Sequence, residues 1–352
     1  MLLSVKLTER GKSEACASKG NGKFAKPNSG YPGYAIFPFQ GNNQDSIKNA
    51  QKGVEFELVV ESPEALRQDV EAALWAFCNF GGLGARTRRG CGALFCEDFA
   101  PADSTELLKM IDIYRKHDES PAHPWPELFT SLLLKDGDSS DASRAWNQAI
   151  KVLGDFRQGP GEGRNPPNDD PHRPGRSLWP EPETIREVTD RRDENHQRMN
   201  TIPDDGFPRA EFGLPIIFHF QPPRDPKAPK DPQDSQLLPY FTEANGEEKE
   251  GGRMASPLIL RPILFKNGKA VSMILQLKTP PLETVALKFS SGRESVIKLF
   301  ERKHIVHQRF AAYSKSPLGT PKKGGAVRSP KGSAIEGFLA FARENGFQEV
   351  KK

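Results

Sequence analysis

The chain has 352 residues, room for two ordinary domains or one with large insertions, and its hydrophobic content of 36% is low for a single tightly packed globule. With 31 glycines and 31 prolines, a good part of it must be loop. The net charge is only +4, which excludes overall basicity as the source of a nucleic-acid site and leaves local clustering.

In chain order, LLSVKL (Leu2 to Leu7) alternates like a strand and is too short for the apolar core of a secretory signal. A polar, glycine-rich stretch runs to about Asn49, and GVEFELVV (Gly53 to Val60) gives a second strand. Ser62-Pro63-Glu64 reads as an N-cap, a proline at the first helical position and an acid in the first turn. The helix it opens sets Leu66, Val70, Ala73, Leu74 and Phe77 on one stripe, and Gly81-Gly82 ends it. Trp75 falls on the opposite face, either packed on another domain or partly exposed. GALFCEDF (Gly92 to Phe99) reads as a strand.

The middle reads as helical and broken, with helices from Ser104 to Lys116 and from Asp141 to Phe156. Residues 158–182 are nearly all breakers and charges and are expected to be mobile. From Pro208 the chain turns strand-rich: LPIIFHF (214–220), PLILRPILF (257–265), AVSMILQLK (270–278) and TVALKF (284–289). Residues 302–331 hold eight Lys or Arg and no Asp or Glu. A last helix opens with Ser333 and Glu336 as a capping box, buries Ile335, Phe338, Leu339 and Ala342, and stops at Asn345-Gly346.

The stretch FGGLGARTRRGCGALFC (Phe80 to Cys96) concentrates the chemistry. It is not a dinucleotide fingerprint, because Thr87 stands where the third glycine belongs, and not a P-loop, because Arg89 stands where its second glycine belongs. Both of those loops also run from strand to helix, whereas this one runs from helix to strand. What remains is a glycine-rich connection presenting Arg86, Arg88 and Arg89. Glycines admit a polyanion close to main-chain N–H groups, and arginines grip phosphate bidentately. The plain alternative is a tight turn with solvated arginines.

NFGGLGARTRRGCGAL resembles the glycine-rich loop of the RAMP superfamily, the repeat-associated proteins of CRISPR effector complexes. Together with FPRAEFGLPIIF (Phe207 to Phe218) and GGRMASPLILRPI (Gly251 to Ile263), in this order, it is most similar to the first-subunit family of the type III-B Cmr complex. The resemblance implies an α+β fold of two ferredoxin-like (RRM-like) domains, each a sheet with helices on one face, carrying helical and loop insertions. It implies residues 1–102 as an N-terminal domain with the glycine-rich loop at 81–92, and 103–206 as a helical insertion. Residues 207–352 then form a C-terminal domain with a loop insertion at 222–252 and the basic segment at 302–331. Nothing like the arginine- and tryptophan-rich motif that opens the family precedes Leu2. The first domain is therefore expected to be incomplete, with sheet edge and apolar helix surface exposed.

The function the resemblance implies is non-catalytic: an RNA-binding subunit of an antiviral effector complex, with CRISPR RNA or target RNA and other Cmr subunits as partners. Its RNA-binding residues would be Gly81, Gly82, Gly84, Arg86, Arg88, Arg89 and Gly90 of the loop, with Arg209, Arg253, Ser256 and Arg261 lining the other side of a groove. The alternative is a metal-independent endoribonuclease using a histidine. The histidines are His117, His123, His172, His196, His219, His304 and His307, and no acid–base pair is marked out by their spacing. His219, in PIIFHFQ, reads as a satisfied sheet residue, and His196 has the better claim to exposure. Within the basic segment, His307, Phe310 and Tyr313 are placed to stack on unpaired bases, beside the plainer reading of a solvated charge run. Cys16, Cys78, Cys91 and Cys96 form neither a CxxC nor a zinc-spaced set, so no metal or cofactor is expected, and free thiols fit a cytoplasmic protein. No apolar run is long enough to span a membrane.

Overall fold

The computed structural model describes residues 1–18, 26–39, 41, 46–114, 127–136, 140–167, 175–194, 196–220, 230–242 and 246–350. Strand β1 (Leu2–Glu9) pairs antiparallel with β2 (Glu55–Glu61) as a two-stranded ribbon. Leu3 faces Val60, Val5 faces Leu58 and Leu7 faces Phe56. Side chains alternate along a strand, so these six share one apolar face, while the ion pair of Lys6 and Glu57 (3.4 Å) lies on the other. The apolar face is uncovered: Leu3, Val5 and Leu7 are 58%, 67% and 51% exposed. The exposed apolar surface of the N-terminal part thus lies on a strand ribbon.

Helix α1 (Arg67–Phe80) is entered through a 3-10 turn at Glu64–Leu66 that follows Pro63, and no side chain caps that turn, so Ser62 does not play the part assigned to it. The inward face of α1 is also the reverse of the one expected. Leu66 and Ala73 are exposed and Val70, Leu74 and Phe77 half-buried, whereas Trp75 is 1% exposed. Trp75 packs on Phe80 (5.2 Å) and Tyr114 (5.0 Å). The large indole contributes more burial than any residue of the stripe, and it meets the apolar face of a sheet formed later in the chain. Helix α2 (Ser104–Tyr114) adds Leu107 and Ile111 to the same layer, and the Asp103 carboxylate caps it by accepting from the N–H groups of Thr105 and Glu106.

That sheet contains β3 (Glu127–Asp136), β7 (Leu258–Leu264), β8 (Ala270–Lys278) and β11 (Gln348–Glu349), antiparallel throughout in the order β7–β8–β3–β11. Helix α3 (Ala142–Gln158) follows β3, and helix α5 (Ala334–Glu344) precedes β11. In chain order the unit reads β3–α3–β7–β8–α5–β11, the βαββαβ arrangement of a ferredoxin-like fold, with its first and third strands central. The α+β class is as expected. The sheet, however, is buried on both faces. Leu133, Leu258, Leu260 and Ile274 pack under α3 and α5, and Leu132, Leu134, Met273 and Leu275 pack under α1 and α2. Two covered faces explain why β7 and β8 read as nearly continuous apolar runs without alternation.

Residues 127–136, within the stretch 103–206 read as a helical insertion, are therefore corrected to a strand at the centre of this sheet. Residues 158–182, expected to be mobile, hold specific pairings where described: Asn165 N–H donates to Arg176 O (2.8 Å) and Leu178 N–H to Gly163 O (3.0 Å). Residues 168–174 lie outside the described residues. Gly92 to Phe99, expected as a strand, is coil with a 3-10 turn at Glu97–Phe99, because no strand lies alongside it and an arginine takes its Leu94 carbonyl.

Helix α4 (Glu181–Thr189) leads to the second sheet, where β4 (Ile216–Phe218) and β6 (Glu248–Glu250) share one edge of β5 (Ser235–Thr242), followed by β9 (Thr284–Ser291) and β10 (Glu294–Glu301). Strands β5 and β6 correct the reading of 222–252 as a loop, of which residues 222–229 and 243–245 lie outside the described residues. Among the described residues no helix is long and apolar enough to cross a membrane.

Candidate nucleic-acid interface

The glycine-rich loop leaves α1 at Gly81, whose N–H donates to the carbonyls of Ala76 and Phe77. Leu83 N–H closes the neck of the loop on Gly92 O (2.9 Å). Here glycine is demanded by self-packing. A Cβ on Gly92 would stand 1.8 Å from Leu83 O, and one on Gly90 (φ +81°) 2.5 Å from Trp146 Nε1. The Trp146 indole N–H donates to Arg89 O at 2.6 Å, anchoring the loop to α3. Gly84 differs: its φ is +91° with open space beyond, and Leu83, Gly84 and Ala85 form an exposed tip.

The expected RNA-binding residues divide by burial. Arg261 is 2% exposed and donates to Gly81 O (2.6 Å), Leu94 O (2.9 Å) and Pro262 O (3.1 Å). Arg89, 9% exposed, donates to Leu258 O (3.0 Å) and Arg88 O (3.1 Å). Burial lowers both guanidinium pKa values to about 10. Together these two side chains clamp the loop onto β7. Arg209 is buried between the rings of Trp179 and Phe218 and pairs with Glu181 at 3.1 Å. Ser256 is buried, with its hydroxyl accepting from Leu258 N–H and its carbonyl from Arg88. Arg89, Arg209, Ser256 and Arg261 thus hold the fold together and do not line an open groove. Arg86 and Arg88 are half-buried, and Arg253 is exposed without a partner among the described residues.

Arg86 adopts a left-handed backbone (φ +59°) and donates through Nη2 to Tyr34 O (3.1 Å), while its Nε is buried without a partner. Two residues that sequence reading passed over complete the cluster. Arg157, in the last turn of α3, lies over the rings of Tyr34 (5.8 Å) and Phe212 (5.2 Å), and its Nε is also buried and unpartnered. Tyr34 comes from the N-terminal polar stretch, which docks on α3 through Asn147 (to Gly30 O, 3.0 Å) and the Tyr31–Trp146 edge contact. The aromatic density of GYPGYAIF was the available signal for that docking. The groups that bear on Arg86 and Arg89 are other arginines, Tyr34 and, for Arg86, Cys91, with no carboxylate among them.

The basic segment 302–331 is folded, and two of its arginines are spent on carboxylates of the same chain. Arg309 pairs with Asp205 (2.7 Å), and Arg328 pairs with Glu162 (2.8 Å) and Glu344 (2.7 Å). The stacking reading of its aromatics is corrected: Phe310 is fully buried, the Tyr313 hydroxyl donates to Leu178 O, and His307 packs on Phe310. His219, expected inside a sheet, lies just past β4, exposed and paired with Asp234 (2.8 Å). His196 is half-buried, with Nδ1 2.6 Å from the buried Asp231 carboxylate. His304 Nδ1 sits 3.2 Å from Glu301 O, and His117, His123 and His172 lie outside the described residues. Among the described residues no cluster of His, Cys, Asp or Glu is arranged to hold a metal ion, and all four cysteines are free.

No curated protein matches the chain. Among solved structures, the crystal structure of Cmr1 from Pyrococcus furiosus in its apo form is 13% identical with a TM-score of 0.42, over 99% of this chain and 77% of that one. Strand β2, helix α1 and the arginine loop fall in residues 17–95, and this segment matches the model of the RAMP superfamily.

Proposed function

We propose that the chain is a non-catalytic RNA-binding subunit of a type III-B CRISPR effector complex, taking CRISPR RNA or target RNA together with other Cmr subunits, in the cytoplasm. The observation that carries the RNA reading is the arginine cluster at the glycine-rich loop: Arg86, Arg88, Arg89 and Arg157 converge with no carboxylate among the groups that bear on Arg86 and Arg89. A charge cluster left uncompensated by its own chain suits a polyanion, and phosphate contacts position RNA without base readout. The RAMP-matched segment and the three sequence motifs supply the assignment to an effector complex.

The experiment is binding of single-stranded RNA as a function of salt, comparing wild type with the Arg86→Ala/Arg88→Ala double variant. Each lost phosphate contact lowers the slope of log K against log salt by about 0.7, so the double variant should bind more weakly with a slope flatter by about 1.4. Equal affinity and slope would remove the loop from the interface. One observation favours a second reading, an endoribonuclease: the His196 imidazole lies 2.6 Å from the buried Asp231 carboxylate. No second acid or base is marked out beside it, and purified chain is expected to leave labelled RNA intact. Discrete products lost in His196→Ala would reverse the choice.

A further inference from the structure

Among the described residues, several buried arginines come with carboxylates. Arg186 pairs with Asp231 and Glu183 (each 2.8 Å), Arg209 with Glu181, and Arg328 with Glu162 and Glu344. Arg89 and Arg261 are satisfied by backbone carbonyls instead, Arg261 with all three of its nitrogens donating. Arg86 and Arg157 fit neither pattern. Arg86 spends one Nη on Tyr34 O, and its Nε–H is buried with no acceptor. Arg157 is held by the faces of two aromatic rings, a contact that uses the cation's charge and none of its in-plane N–H donors. Its Nε–H is buried with no acceptor as well. The two cations repel each other, and the groups that bear on Arg86 besides Arg157 are Tyr34 and Cys91, with no carboxylate among them.

The backbone supplies an independent sign. Arg86 is one of three non-glycine residues among those described with positive φ, and it directly follows the exposed loop tip. A long side chain in the left-handed region is strained and tends to persist at ligand clamps, where the surrounding structure holds it. Here the result is to turn the Arg86 side chain back toward Tyr34, beside Arg157.

We propose that Arg86 and Arg157 together hold one phosphate group through the guanidinium N–H groups that their own chain leaves free. A tetrahedral oxyanion matches two guanidinium forks, relieves the repulsion and gives the buried donors acceptors. The proposal deepens the RNA reading and depends on it only for where the phosphate comes from: an RNA chain, or a free or terminal phosphate.

The test uses the full chain and three probes: inorganic phosphate, a short single-stranded RNA bearing a 5′-phosphate, and the same RNA dephosphorylated. Inorganic phosphate should raise the melting midpoint of wild type by roughly 2–4 °C, and chloride at matched ionic strength should not. Arg157→Gln and Arg86→Gln should each abolish that shift, and Arg157→Lys should retain part of it. Two variants on separate elements, each checked by circular dichroism, guard against a loss that is only misfolding. If the variants weaken both RNAs about tenfold, the bound group is a chain phosphate; if only the 5′-phosphorylated RNA weakens, it is a terminal one. If phosphate stabilises wild type but neither RNA binds, the site stands and the RNA reading fails. No stabilisation by phosphate, or an equal shift in Arg157→Gln and Arg86→Gln, overturns the proposal.

Discussion

Replacing Trp75 by alanine probes whether the loop-bearing helix is part of the main folding unit. Trp75 is 1% exposed, and it is delivered by α1 to a layer that includes β3, β7 and β8 from much later in the chain. Removing a buried Trp costs about 3–5 kcal/mol through lost transfer free energy and the cavity left behind. The contacts with Phe80 at 5.2 Å and Tyr114 at 5.0 Å place it toward the upper end, since such pairs add about 0.5–1.5 kcal/mol beyond area. Against a typical total of roughly 5–15 kcal/mol, Trp75→Ala should shift urea unfolding far to lower denaturant. If α1 and the sheet unfold together, hydrogen exchange should quicken in parallel in Arg67–Phe80 and in Ala270–Lys278. RNA binding should fall too, because α1 sets where the loop begins. A loss under about 1 kcal/mol, with α1 exchange unchanged, would show that Trp75 lies against the sheet without stabilising it.

Arg261→Met should cost roughly 2–4 kcal/mol, because the carbonyls of Gly81 and Leu94 lose their donors, partly offset by relief from burying a charge; equilibrium unfolding checks it. Gly90→Ala, which forces a Cβ to 2.5 Å from Trp146 Nε1 at φ +81°, should cost roughly 1–3 kcal/mol and alter tryptophan fluorescence. Burial raises the Glu211 pKa from 4.5 to about 7, outweighing the donors from Ser333, Ala334 and Ile335, so the folded state binds its proton more tightly than the unfolded one. Its contribution is then fully present below about pH 4.5 and declines up to pH 7, by about 3 kcal/mol, and Glu211→Gln should flatten that part of a stability–pH profile. Amides of the ribbon Leu2–Glu9 and Glu55–Glu61 should exchange faster than those of Ala270–Lys278, since the ribbon's apolar face is bare.

What could be read from the sequence follows from how many faces of an element are covered. PLILRPILF and AVSMILQLK were legible as strands because burial on both faces leaves an unbroken apolar run. The final helix was legible because Ser333 caps it locally, accepting from Glu336 N–H. ELFTSLLLKD (Glu127–Asp136) carries too short an apolar run to declare itself, and its two faces serve different layers: Leu133 under α3 and α5, Leu132 and Leu134 under α1 and α2. SQLLPYFT (Ser235–Thr242) hid behind Pro239, which local rules count against a strand. On α1 the period was right and the buried face wrong. The stripe reading weighs residues by number, whereas one Trp contributes more area than several small ones, and its partner surface lies far away in sequence.

The arginine loop shows the same limit in its chemistry. Composition identified the loop, but it could not say which guanidinium points inward. Arg88 and Arg89 are adjacent, yet Arg89 is spent on Leu258 O while Arg88 reaches Ser256 O from a half-open position. The two roles depend on each other. Arg89 and Arg261 fasten the loop to β7 through carbonyls, which satisfies their donors without adding a counter-charge. A carboxylate in their place would hold the loop as well and would also cancel the field at Arg86 and Arg157. Clamping by carbonyls therefore fixes the loop rigidly and keeps its positive potential directed outward, the combination that a preorganised phosphate site needs.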